Sequence, residues 1–139
     1  MIVGLGADLV NIIRVEKILS KYGEKFKSRV FTCSEITLAD ARKDPADSYA
    51  KRWAAKEACA KALGTGLQMG ISWKEISIVS LNSGQPKLTV SGKAKARLIN
   101  ITPFGYESHI LVTLTDDYPW AHATVIIDAN LKNESKRNK

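Results

Sequence analysis

Nowhere in these 139 residues is there an uninterrupted apolar run long enough to cross a bilayer, and the N-terminus lacks the basic-then-apolar pattern of a secretion signal. Both absences predict a chain that stays where it is made, in the cytoplasm. Cysteine is scarce. Cys33 and Cys59 have no metal-type spacing, and a disulfide between them is disfavoured in a chain without an export signal. Cys59 lies in an Ala-rich stretch where a small thiol packs as a hydrophobe, and no His sits near either one in sequence. Both read as structural. His109 and His122 fall on predicted strands, and no Ser–His–acid arrangement can be read from them. Trp53, Trp73 and Trp120 are too scattered to suggest a base-stacking platform. Acid is in deficit: 14 Asp and Glu against 21 Lys and Arg give a net charge of +7. That excess favours an anionic partner, whether nucleic acid, a membrane surface, a phosphorylated small molecule or an acidic protein, and composition does not choose among them.

What is present has the size and make-up of one ordinary globular domain, with 45% hydrophobic and 25% charged residues. Residues 2–10 read as a buried strand loosened by Gly4 and Gly6. Asn11 is placed to cap a helix that ends near Tyr22-Gly23, and residues 24–30 form a short basic amphipathic piece with Phe26 and Val30 inward. Thr32 and Glu35 have the spacing of a capping box, starting a helix that fades around Arg42. Asp44-Pro45 is a further start signal, with Asp44 as N-cap, for a long helix over 45–63 closed by Gly64. The second half turns to strands: 76–81 and 86–90 around a turn, a Lys- and Ala-rich helix over 92–100, then 108–115 and 122–128. Helices early and an antiparallel meander late predict an α+β fold, a single domain with one long central helix among those packed on a mainly antiparallel sheet. The domain is expected over 1–129, and residues 130–139 as a polar basic tail without order of its own.

Two carboxylates invite a chemical reading. Asp8 stands near the end of an otherwise apolar strand, and a buried carboxylate must be hydrogen-bonded, paired or bound to a metal. Capping of the next helix would explain it, but Asn11 is better placed for that. Glu57 lies on the long helix, where a spacing of four stacks it between Trp53 and Lys61. A plain Glu57–Lys61 surface pair accounts for the spacing as well as any function does. Two hard oxygen ligands without His or Cys would suit Mg²⁺, which binds through one or two carboxylates plus substrate phosphates. Gly64-Thr65-Gly66 offers either a phosphate-cradling nest or an ordinary helix end, and a helix C-terminus repels anions unless Lys61 or a metal offsets it.

Several motifs occur in order. They are Gly6-Ala7-Asp8 with Arg14, Phe31-Thr32 with Glu35, and Arg52-Trp53-Ala54-Ala55-Lys56-Glu57-Ala58 with Lys61 and Gly64-Thr65-Gly66. Gly84-Gln85-Pro86 follows, then Val112-Thr113-Leu114 and Ala121 to Ile127. This set closely resembles the holo-[acyl-carrier-protein] synthases, the small bacterial type of 4′-phosphopantetheinyl transferase, over nearly the whole of residues 2–128. The resemblance implies transfer of the phosphopantetheine arm of coenzyme A to a serine of apo acyl carrier protein, with adenosine 3′,5′-bisphosphate leaving. By motif it implies Asp8 and Glu57 as ligands of Mg²⁺, with Glu57 or a metal-bound water taking the serine proton. Lys61 would stabilise phosphate charge, and Gly64, Thr65 and Gly66 would let backbone approach the nucleotide. Arg52 and Pro86 would hold the nucleotide end, and Arg14 would meet the acidic helix of the carrier protein. It further implies a homotrimer with sites at subunit interfaces. The family usually carries His just before Val-Thr-Leu, where Leu111 stands here. His109, two residues earlier on the same strand face, is the candidate in its place, as a substrate contact without an acid–base role.

Both implied partners are anionic, so the basic surface has a use without nucleic acid. The competing readings are a basic nucleic-acid module, whose affinity would fall steeply with salt and ignore Mg²⁺, and a degenerate relative that only binds carrier protein. Retention of both Asp8 and Glu57 speaks against the latter.

Overall fold

The computed structural model describes residues 1–66 and 70–133. Strand β1 (Ile2–Asn11) leads into α1 (Ile12–Tyr22), α2 (Glu24–Val30), α3 (Cys33–Asp40) and α4 (Pro45–Ala62). A single 3-10 turn (Trp73–Glu75) precedes the β2 (Ile76–Ser80) and β3 (Pro86–Val90) hairpin, then α5 (Gly92–Ile101), β4 (Tyr106–Asp117) and β5 (Trp120–Leu131). The architecture is α+β, with all strand pairs antiparallel: one sheet in the order β1-β5-β4 and the β2-β3 hairpin apart from it. The first strand thus pairs with the last, and α4 lies across the inner face of the sheet they share. Strand β5 takes in Asn130 and Leu131, two residues past the expected domain boundary, while residues 134–139 of the expected tail lie outside the described residues.

Local signals explain most of the elements. Asn11 caps α1 by accepting from the Ile13 N–H, and Gly23 at φ 44° closes it. Thr32 and Glu35 make the full capping box of α3. Pro45 does start α4, but the Asp44 side chain makes no cap bond. The capping assigned to Asp44 is therefore corrected: its backbone has φ −117° and ψ 83°, and it is its carbonyl, not its side chain, that accepts from the Asp47 N–H, at 3.3 Å.

The larger correction concerns β1. It is not a buried strand: Ile2, Leu5 and Leu9 are exposed, and only alternate residues turn inward. The pairing with β5 is irregular between Ile2 and Gly4 but regular at Gly6, and both glycines have a second role. They are the places where α4 presses on the strand, since a Cβ on Gly6 would collide with the Ala58 carbonyl and one on Gly4 with that of Ala62. Bare backbone lets helix and strand touch, with Ala54, Ala55, Ala58 and Ala62 as the small residues on the helix side. On the outer face the register aligns Leu5, Ile126 and Leu111 in one cross-strand row.

Charge sits at the centre of the fold too. Lys56, fully buried, pairs with Glu35 at 2.8 Å and donates to the carbonyls of Trp73 and Ile76. Glu35 in turn accepts from the N–H groups of Thr32 and Ile78. All the donors of the ammonium have partners, as a buried charge requires. Burial pulls the Lys56 ammonium below lysine's ordinary value, and the Glu35 charge offsets part of that. The pair ties α3, α4 and the start of β2 together. Around it Phe26, Phe31, Tyr49, Trp53 and Trp73 form a chain of edge-to-face contacts.

Candidate active site

Asp8 is carried inward by the strand alternation, in the row Asp8–Ala123–Leu114, toward the last turns of α4. There Lys61 Nζ lies 3.0 Å from Asp8 Oδ1 and 3.0 Å from the Ala7 carbonyl oxygen. The plain surface pair between Glu57 and Lys61 is thus not what forms; the lysine reaches across to the strand instead. Glu57, one turn earlier, faces the same space. Burial first, then the Asp8 charge, raises the Glu57 carboxyl above its ordinary value, with Lys61 offsetting part of the rise. Two carboxylates and one ammonium therefore meet where β1 crosses α4. Among the described residues no third His, Cys, Asp or Glu joins them.

Arg52 and Pro86 belong to a different place. Five residues separate Arg52 from Glu57, which turns the arginine about 140° around the helix from the glutamate. Its guanidinium is buried, donating to the Ser48 carbonyl at 3.3 Å and hydroxyl at 2.7 Å, while its Nε has no partner among the described residues. Burial lowers its pKa. Arg52 and Pro86 line a polar cleft of about 400 Å³ together with the cations Arg42, Lys43 and Lys51 and the carboxylates Asp44 and Asp47. These three cations went unnoticed in the sequence: each is an ordinary surface residue until the α3–α4 loop and the β2–β3 hairpin bring them round Arg52. Lys51 is held at the rim by Asp116, 2.9 Å away.

Gly64, Thr65 and Gly66 finish α4. The Gly64 N–H donates to the Lys61 carbonyl and the Gly66 N–H to that of Ala60, both glycines having positive φ. Arg97 Nε adds a bond to the Leu63 carbonyl. Of the two readings, the bonds favour the helix end, since two of the three donors already serve it. His109 lies apart from all of these. It is opposite Asp128 on the outer face of the sheet, more than half exposed, with Glu107 at 3.6 Å, and within this subunit it joins neither the Asp8 group nor the Arg52 cleft. Arg14 is exposed on α1, its guanidinium 5.7 Å above the centre of the Trp53 ring. Trp53 and Trp73, distant in sequence, are neighbours at 6.3 Å.

A strand acid and a helix acid flanked by a lysine, on an α+β scaffold with a separate, mainly basic cleft, suit phosphoryl-transfer chemistry. The model of the 4′-phosphopantetheinyl transferase superfamily matches residues 4–122. Holo-[acyl-carrier-protein] synthase of Cereibacter sphaeroides is 57% identical over 129 residues, covering 93% of this chain and 94% of its own. The crystal structure of that synthase from Neisseria meningitidis superposes with a TM-score of 0.78 at 30% identity, over 92% of this chain and 99% of its own. The Helicobacter pylori synthase, solved in complex with coenzyme A, gives 0.75 at 29% identity, over 89% and 99%. The chain belongs to the holo-[acyl-carrier-protein] synthase family of that superfamily, and it is an enzyme.

Proposed function

We propose that this enzyme transfers 4′-phosphopantetheine from coenzyme A to a serine of apo acyl carrier protein, releasing adenosine 3′,5′-bisphosphate, and that it does so with Mg²⁺ in the cytoplasm. The observation that carries the reading is the meeting of Asp8, Glu57 and Lys61 at the β1–α4 crossing. Coenzyme A is the ligand of the Helicobacter pylori relative, and the synthase name of the relatives supplies the carrier protein.

The residues fit a magnesium ion. Two hard carboxylate oxygens share one space, and the like charge that raises the Glu57 pKa is the charge a divalent ion would relieve. Bound there, the ion would neutralise the pyrophosphate as its bond breaks. Glu57, placed at the same β1–α4 crossing, would accept the serine proton. The serine oxygen bonds the phosphorus nearest the pantetheine, and the bond from that phosphorus to the nucleotide phosphate breaks. Lys61 would swing its ammonium from Asp8 to the phosphate in transit. The Arg52 cleft, with Arg42, Lys43 and Lys51, suits the nucleotide's phosphates.

Because that cleft and the carboxylates lie on different sides of α4, one nucleotide would reach both more readily across two copies than within one. The uncovered row Leu5–Ile126–Leu111, with Leu5 66% and Leu111 56% exposed, offers an apolar surface for such copies, and a homotrimer is the assembly proposed. It would also bring His109 of the outer face into an interface. The direct test mixes the chain with coenzyme A, Mg²⁺ and apo carrier protein and weighs the carrier. A gain of one phosphopantetheine, abolished by chelator and lost in Asp8→Asn and Glu57→Gln, is expected; unchanged rates in both variants would remove these residues from the metal.

A further inference from the structure

We infer that Trp53 is a positioning residue for the protein substrate: it holds the Arg14 guanidinium ready on α1, the surface that the resemblance assigns to the carrier protein. The inference rests on the proposed transfer reaction and adds a residue to it. Trp53 stands one turn before Glu57 on α4, so its ring lies beside the site while its backbone belongs to the same rigid element. The ring is held by packing. Phe26 of α2 meets it edge-on at 5.3 Å and Trp73 at 6.3 Å, while its indole N–H is buried without a partner among the described residues, so packing sets its orientation. Three elements thereby fix one aromatic face.

Over that face, at 5.7 Å from the ring centre, lies the guanidinium of Arg14 from α1. Arg14 makes no ion pair among the described residues, so its charge is left for an anionic group arriving from outside. A long exposed arginine samples many rotamers, and fixing one of them on binding costs affinity; a planar cation already stacked on a ring loses less. The same contact ties α1, where an acidic helix would dock, to α4, where the serine must meet Glu57. The pairing thus favours the carrier protein without touching coenzyme A.

The test is steady-state kinetics of the full chain with coenzyme A, Mg²⁺ and apo carrier protein. Trp53→Leu should raise the KM for carrier protein about threefold to fivefold, the scale of an exposed cation–π contact, with kcat and the KM for coenzyme A unmoved. Trp53→Phe, which keeps a ring, should recover most of the loss. In an Arg14→Ala background Trp53→Leu should have no further effect on that KM. Arg14→Lys sits on an exposed position and keeps the charge without the planar stack; it should raise the carrier KM about twofold, which covers the case of a Trp53→Leu chain that does not fold. An unaltered carrier KM in Trp53→Leu or Arg14→Lys, or an undiminished effect of Trp53→Leu without Arg14, overturns the inference. So does a parallel rise in both KM values. If the wild-type chain leaves the carrier's mass unchanged, the proposed reaction itself fails and this inference with it.

Discussion

Gly6→Ala is the sharpest probe of how this site is built. Gly6 pairs with Val125 at the middle of β1 and turns its open side to α4. An added Cβ would run into the Ala58 carbonyl oxygen and stand 2.8 Å from the Ala62 nitrogen and 2.9 Å from the Ala58 carbonyl carbon. All three are main-chain atoms, so no side chain can turn away to make room. Relief would require α4 to retreat by roughly 1 Å, against a core packed like a crystal. On its far side the helix is tied by the buried Lys56–Glu35 pair, and its Ala54, Ala55 and Ala58 are fully covered.

Overpacking of this kind costs about 1–3 kcal/mol, and a rigid backbone obstacle puts Gly6→Ala at the upper end, roughly a 10 °C fall in Tm for a domain of this size. The same displacement parts Asp8, two residues along β1, from Glu57 and Lys61. Turnover at saturating coenzyme A should therefore drop at least about tenfold at a temperature where the variant is still folded, since misplacing a reacting group by an ångström is that costly. Thermal melting by circular dichroism and the carrier mass assay on one preparation give both numbers. A Tm within 1 or 2 °C of wild type with an undiminished rate, on the scale set by the same principle, would show that strand and helix do not touch as described.

Other outcomes follow from the same structure. Lys56→Met leaves Glu35 charged and buried without its partner, so chemical denaturation should show a loss of about 3–5 kcal/mol; Lys56→Met with Glu35→Leu should lie closer to wild type than either alone. Cys59 is buried with its thiol pushed up to about 12, whereas Cys33 is exposed, so a thiol reagent at neutral pH should label one cysteine in the native chain and two after denaturation. Rapid native labelling of both would refute the packing around Cys59. Leu111→Asp puts a charge in the exposed apolar row and should leave a folded monomer in sedimentation velocity, against the trimer proposed for the wild type; a monomeric wild type would remove the trimer.

Much of this was legible in the sequence because the signals are local. Asn11, Thr32 with Glu35, and Pro45 mark helix starts through bonds made within four residues, and α1, α3 and α4 begin where those residues stand. The length of the final hairpin was not legible, since strands extend as far as their partner does: β4 and β5 pair from Tyr106 and Leu131 to Asp117 and Trp120. Residues 2–10 read as a buried strand because Ile2, Val3, Leu5, Leu9 and Val10 are apolar. Hydrophobicity records what a residue tolerates, and the row it belongs to faces out of the subunit. Glu35 was legible only as a cap; that its second oxygen receives the Ile78 N–H and its first also meets Lys56 depends on chain more than twenty residues away.

The candidate site divides in the same manner. A spacing of four along one helix was enough to group Trp53, Glu57 and Lys61, and β1 supplies Asp8 opposite them because Gly6 lets the two backbones touch. The motif also contains Arg52, which lies with Pro86 on another side of α4, since a motif longer than one turn must show residues on every side of its helix. Ser48, Arg52 and Lys56 form one stripe, buried against the α3 loop and the β2–β3 hairpin, while Glu57 and Lys61 form another against β1. A helix read from both sides is what a ligand gripped by two neighbouring copies would need.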